Sequence, residues 1–163
     1  MLFRSSARYS ADGSRIVTGS EDNTARIWDA NDGAELVTLA DNEGPVWAVA
    51  FSPDGEDVVL GTDDGRVTVH SSWSGEVKHS FEDDHPSIVD SIEYSSDGEM
   101  IVAGYVDGSA KLWSATNGRF IAELLGHDDK CRRAMFSPDG EHIISGSDDS
   151  TIRIWNIVDL LQL

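Results

Sequence analysis

The stretch that decides the architecture is Phe136-Ser137-Pro138-Asp139-Gly140, followed by Ser145, Asp149 and Thr151-Ile152-Arg153-Ile154-Trp155. Its opening pentapeptide is already present as Tyr9-Ser10-Ala11-Asp12-Gly13, Phe51-Ser52-Pro53-Asp54-Gly55 and Tyr94-Ser95-Ser96-Asp97-Gly98. The steps between copies are 42, 43 and 42 residues. Each copy reads aromatic-Ser-x-Asp-Gly, a tight turn in which Asp bonds its own backbone and Gly accepts positive φ. Fifteen residues after each Gly stands Trp28, His70, Trp113 or Trp155, and six residues earlier an acid, Asp22, Asp64, Asp107 or Asp149. One unit is therefore written four times.

Between these marks the hydrophobic pattern has period two. Thr24-Ala25-Arg26-Ile27-Trp28 and Val46-Trp47-Ala48-Val49-Ala50-Phe51 are short, β-branched and aromatic, and turn residues flank them. The second unit predicts strands near 46–51, 57–61, 66–70 and 76–81. Long helical periodicity is absent; Val158–Leu163 is too short to stand as a helix alone.

The 163 residues carry 30 Asp+Glu against 12 Lys+Arg, a net charge of −18. Such a chain repels phosphate backbones and anionic membrane surfaces, which argues against both as partners. No apolar run approaches the roughly 20 residues needed to span a bilayer, and residues 1–6 have no secretory h-region. Cys131 is the single cysteine, which excludes an intrachain disulfide and suits a reducing compartment, cytoplasmic or nuclear.

In its repeat length, turn, acid and Trp spacing, the chain resembles the WD40-repeat family of β-propellers over essentially its whole length. Only Trp28-Asp29 is a literal Trp-Asp pair. The resemblance implies an all-β fold of four WD40-type four-stranded blades, forming an open or self-associating partial propeller. The blades fall near 3–39, 46–81, 89–125 and 131–163. In the family, a His before the first strand, a Ser or Thr in the second, an Asp in the next turn and the Trp of the third form a hydrogen-bonded chain. Carried over, the fourth unit has the full set, His127, Ser145, Asp149 and Trp155. The third has His85, Asp107 and Trp113, but Ala103 at the hydroxyl position. The first has Thr18, Asp22 and Trp28, and its His would precede Met1. The second has Asn42, Leu60, Asp64 and His70, which predicts the least rigid blade. Family rings have about seven blades, so the length reads first as part of a ring, then as half of a two-chain one, and last as a small closed form. A fourth strand of the last blade is expected to start near Leu161.

His127, Ser145 and Asp149 have the residue types of a hydrolase triad, but Ser145 falls in a strand and no Gly-x-Ser-x-Gly is present, so scaffolding is the weightier reading. The acid pairs lack a calcium-loop pattern, and one Cys cannot complete a thiolate zinc site. No metal, cofactor or catalytic residue is expected. Cys131 reads as packing, Trp47 as inter-blade packing with a binding role as the lesser reading, and Trp73 as a residue whose exposure would make it a candidate contact. The resemblance places Glu21, Asp22, Asp41, Glu43, Asp63, Asp64, Glu82, Asp83, Asp84, Asp107, Asp128, Asp129, Asp148 and Asp149 on one face, with Lys130 the nearby cation. Solubility is the plain account of this acidity; the sharper one is a basic peptide or protein partner. The candidate partner-binding residues are Glu21, Asp41, Glu43, Asp63, Asp84, Ile88, Val106, Asp128, Lys130 and Asp148. The expected function is a non-catalytic protein-interaction scaffold, with homo-association through exposed blade edges in view. The alternatives are a propeller domain of an enzyme or regulatory complex, or a partial chain without independent function.

Overall fold

The structure, a computed structural model, describes residues 6–40, 42–81 and 87–161. Among the described residues fifteen strands form four antiparallel sheets, one after another along the chain. The first blade holds β1 (Ser6–Tyr9), β2 (Arg15–Gly19), β3 (Ala25–Asp29) and β4 (Glu35–Leu39). The second holds β5 (Val46–Phe51), β6 (Asp57–Thr62), β7 (Val67–Ser71) and β8 (Val77–Phe81). The third holds β9 (Val89–Tyr94), β10 (Met100–Tyr105), β11 (Ala110–Ser114) and β12 (Phe120–Leu124). The fourth has three strands among the described residues, β13 (Cys131–Phe136), β14 (His142–Ser147) and β15 (Ile152–Asn156). Each blade is a meander whose neighbours in sequence are neighbours in the sheet, so short turns suffice. The blades form a partial propeller.

The core lies between blades rather than within them, because one sheet cannot bury both its faces alone. Val17, Ala25 and Ile27 of the first blade meet Val49, Phe51, Val58 and Leu60 of the second. Ala50, Val59, Val67 and Val69 meet Tyr94, Ile101 and Tyr105 of the third. Val102, Ala110 and Leu112 meet Ala134, Phe136 and Ile143 of the fourth. Close approach of blades requires glycine at one position of the second strand in each of the first three blades. A Cβ on Gly61 would stand 2.3 Å from Val89 Cγ1, and one on Gly19 would stand 2.7 Å from the Val46 carbonyl oxygen. At the matching Gly146 a Cβ would meet nothing within 4 Å.

After β15 the chain turns into one helical turn, α1 (Ile157–Leu160), and a strand starting near Leu161 would fall outside the described residues. The helical turn corrects the expectation that the segment is too short to be helical. The Asn156 side chain caps it by accepting from Val158 N at 2.9 Å, and Ile157 is buried against the blade cluster. Capping and tertiary burial supply what length does not. Among the described residues no helix is long and apolar enough to cross a membrane.

Candidate functional site: the acidic upper face

Two sets of connections converge on one rim of the arc, here the upper face. Asp63 N donates to Pro45 O, Val106 N to Ile88 O and Asp148 N to Lys130 O, each at 3.0 Å. Each of these ties the turn between the second and third strands of a blade to the segment entering its first strand. The turns are held by their acids. Asp149 Oδ1 accepts from Thr151 N and Oγ1 at 2.8 and 2.6 Å, Asp107 Oδ1 from Ser109 N and Oγ at 2.9 and 2.7 Å, and Asp22 Oδ1 from Thr24 N at 3.0 Å. The Thr24 and Thr151 hydroxyls are the main reason the Asp22 and Asp149 carboxyls sit well below the usual carboxylate range.

In the fourth blade these bonds extend inward as one chain. Trp155 Nε1 donates to Ser145 Oγ at 3.0 Å, Ser145 Oγ lies 2.8 Å from His127 Nε2, and His127 Nδ1 lies 3.0 Å from Asp149 Oδ2. With Nδ1–H directed at the carboxylate, Nε2 accepts from the serine, whose oxygen remains free to accept from the indole. In the first blade Trp28 Nε1 donates to Thr18 Oγ1 at 2.9 Å. In the third blade Ala103 stands where these hydroxyls are, and Trp113 is instead packed among Phe81, Tyr105 and Phe120 rings. In the second blade His70 replaces the Trp and Leu60 the hydroxyl. Buried His70 turns to Thr68 Oγ1 of its own strand at 2.9 Å and to Gly75 O at 3.2 Å. Asp64 accepts from the Thr62 hydroxyl.

A hollow of about 280 Å³ opens at the inner rim of this face, lined by Trp47, Asp63, Ile88, Asp90, Val106, Lys130 and Arg132. Trp47 Nε1 donates to Asp63 Oδ1 at 2.9 Å. Arg132 donates through Nε to Asp148 Oδ2 at 2.8 Å and through Nη1 to Asp90 Oδ2 at 3.4 Å. Asp148 and Asp90 hold the guanidinium firmly in its charged form, the hydrogen bonds to Asp148 contributing most. Of the candidate residues, Asp63, Ile88, Val106 and Lys130 line the hollow, and Asp148 borders it through Arg132. Glu43 is held 2.9 Å from Arg66 Nη2. Glu21 and Asp128 are exposed on the outer part of the face. Asp41, Asp84 and His85 lie outside the described residues.

Two lining residues escaped the sequence reading, Asp90 and Arg132, and for Trp47 that reading favours packing over binding. Each is the second residue of its blade's first strand, so repeat position was the signal that could have found them. Trp47 is half-buried and lines the hollow beside residues of the third and fourth blades. Lys130 is also not the sole cation of the face, since Arg132, Arg66 and Arg26 each pair with an acid there. Cys131 is buried, and burial pushes its thiol up to about 11.

Comparison with known proteins decides the family. The family model described as WD domain, G-beta repeat matches residues 5–29, 33–71, 75–114 and 118–156. The chain belongs to the WD40 family. Its WD40 repeats are similar to part of ribosome assembly protein 4 of Chaetomium thermophilum, 54% identical over 43 residues, which is 26% of this chain and 8% of that protein. Eukaryotic translation initiation factor 3 subunit I of Eremothecium gossypii is 32% identical over 75 residues, 46% of this chain and 22% of that protein. Cell division cycle 20.1, cofactor of APC complex, of Arabidopsis thaliana is 34% identical over 73 residues, 44% and 16%. The matched segments thus span a small part of each relative.

Proposed function

We propose that this WD40 chain is a non-catalytic protein-interaction scaffold whose upper-face hollow receives a basic segment of a partner protein. The carrying observation is the hollow itself. Trp47, Ile88 and Val106 offer an apolar surface, and Asp63 and Asp90 lie beside it together with Lys130 and Arg132, so the surplus of acid comes from the surrounding face. Aromatic and aliphatic anchors surrounded by fixed charges are what a protein interface uses for affinity and register. The net charge of −18 adds long-range attraction for a basic partner and repulsion from nucleic acid and anionic membranes. The commitment of buried Ser145 to both His127 and Trp155 supports structure over nucleophilic chemistry. We assign no metal to Asp139, Glu141 and His142, whose ligand atoms lie within 4.8 Å of one another, because the two acids are exposed and such solvated surface clusters are common without an ion. The names of the relatives, which refer to ribosome assembly, translation initiation and the cell cycle, support a place in intracellular assemblies, cytoplasmic or nuclear.

The test is a salt titration of binding to basic and acidic peptide pools. Tight binding of the basic pool, weakening with salt and reduced by Asp63→Asn and Trp47→Ala, supports the reading. Equal binding of both pools, indifferent to salt, refutes it.

A second reading rests on the two outermost blade faces. Ile152 and Ile154 are 74% and 68% exposed, while the matching Ala25, Ile27, Val67 and Val69 are buried under the next blade. At the other side Tyr9 is 66% exposed, while its counterparts Phe51, Tyr94 and Phe136 are buried. The two surfaces are the two halves of an interface that the chain makes three times internally. A second copy, packed head to tail, would cover both. Sedimentation of Tyr9→Glu and Ile154→Glu variants tests this: each alone stays monomeric, and an equimolar mixture forms dimers. A monomeric unsubstituted chain at high concentration overturns it.

A further inference from the structure

The lower face carries a site that the upper-face reading does not use. Arg15, first residue of β2, is buried although charged. Its guanidinium crosses from the first blade into the second. There Nη2 donates to Gly55 O at 2.6 Å and Nη1 to Ser72 Oγ at 2.9 Å, and the group lies 3.9 Å from the centre of the Trp73 ring. The fold thus builds an arginine socket between its first two blades from a turn carbonyl, a polar side chain and an aromatic.

The turn glycine of that socket recurs at each junction, but the other walls and the contents differ: at the second junction Ala115 and Thr116 stand where Ser72 and Trp73 stand at the first. Asp57 and Met100 begin β6 and β10, the positions that match Arg15. At the third junction Met100 packs against the apolar cluster that includes Phe136 and Ile157. At the second, a crevice of about 400 Å³ remains, bordered by Asp54, Asp57, Lys78, Tyr94, Asp97 and Thr116 among others. Tyr94 stands where Phe51 stands beside Arg15, and Gly98 stands where Gly55 does. Tyr94 is 8% exposed, and its hydroxyl has no hydrogen-bond partner. A buried hydroxyl without a partner is uncommon and costly. The nearby Asp57 and Asp54 carboxylates, after burial, keep that hydroxyl from ionising. Three carboxylates face the crevice against one ammonium, that of Lys78, which pairs with Asp57 from a side chain 43% exposed.

We propose that the crevice between the second and third blades binds an arginine side chain presented by a partner protein. The incoming guanidinium takes the place that Arg15 takes one junction earlier. It displaces the Lys78 ammonium from Asp57 and donates to the Tyr94 hydroxyl. The planar fork suits this set because it reaches a carboxylate and a second acceptor together, which a point-like ammonium does not. The site is on the opposite face from the hollow, so the two readings stand or fall separately.

The probe is the peptide acetyl-Gly-Arg-Gly-amide, titrated into the full chain and followed by backbone amide NMR shifts, beside the same peptide with citrulline or lysine. The arginine peptide is expected to shift Asp57, Gly98 and Thr116 saturably, with the other two binding at least several-fold more weakly. Tyr94→Phe, which keeps the ring, should weaken it about tenfold, the worth of a charge-assisted hydrogen bond. Lys78→Met should tighten it by freeing Asp57, whereas Arg153→Gln, with the same change of net charge, should not. Indistinguishable binding of the three peptides, shifts confined to the upper face, or no response to Lys78→Met would each overturn the assignment.

Discussion

Replacing Ser145 by Ala should cost far more than the loss of one surface hydroxyl. Ser145 is fully buried and joins two groups, the Trp155 indole N–H at 3.0 Å and His127 Nε2 at 2.8 Å. Alanine keeps the strand but leaves both partners without their hydrogen bond, His127 in a place water does not reach. An unsatisfied buried group costs about 1–3 kcal/mol. Trp155 is only partly buried, so its share lies at the low end, and His127, whose side chain is 1% exposed, takes the larger share. The sum is about 2–4 kcal/mol, or a fall in melting temperature of roughly 5–15 °C for a chain of this size. Thr18→Ala is the internal calibration, because Thr18 Oγ1 satisfies one indole, that of Trp28; its cost should be about half. The assay is urea denaturation of both variants, paired with exchange of the Trp155 indole proton by NMR. A Ser145→Ala cost below about 0.5 kcal/mol with unchanged indole exchange would refute the view that the four side chains act as one unit.

Gly61→Ala forces a methyl into Val89 and should destabilise by about 1–3 kcal/mol, while Gly146→Ala, with open space around it, should be neutral by thermal melts. Asp12 is brought from its ordinary 3.8 to about 2, chiefly by the Ser10 hydroxyl, and Asp54, Asp97 and Asp139 are lowered chiefly by Ser52, Ser95 and Ser137. Carboxyls lowered by folding lend stability that is complete above the unfolded value and is lost as pH falls through the folded one, so acid unfolding by circular dichroism should develop between about pH 4 and 2 and flatten in Asp12→Asn. Arg132→Gln releases Asp90 and Asp148 from their cation and should tighten basic-peptide binding at low salt, with the gain shrinking as salt rises.

The strands were legible because their cause is local. Period-two apolar spacing and aromatic-Ser-x-Asp-Gly turns act over a few residues, and the strands found in the second blade, Val46–Phe51, Asp57–Thr62, Val67–Ser71 and Val77–Phe81, lie within a residue of those read from spacing. The candidate site was legible only in part. Asp63, Ile88, Val106 and Lys130 could be placed from loop position, but Trp47, Asp90 and Arg132 sit inside strands, where composition alone reads them as packing or solvent-facing residues. The acidity of the face was visible and its neutralisation was not, since Arg132 meets Asp90 across 42 residues of chain.

Sequence alone settled the repeat, its length, the strand order within a blade and the sign of the charge, all of which follow from neighbours along the chain. Tertiary structure decided what blades do to one another. It set the need for glycine at 61, the helical turn at Ile157–Leu160 and the burial of Arg15 under Trp73, and it made the second junction a crevice where the third is filled. Identical turns set nearly identical blades, but each junction joins residues some forty positions apart, and their contents depend on which side chains the stacking happens to bring face to face.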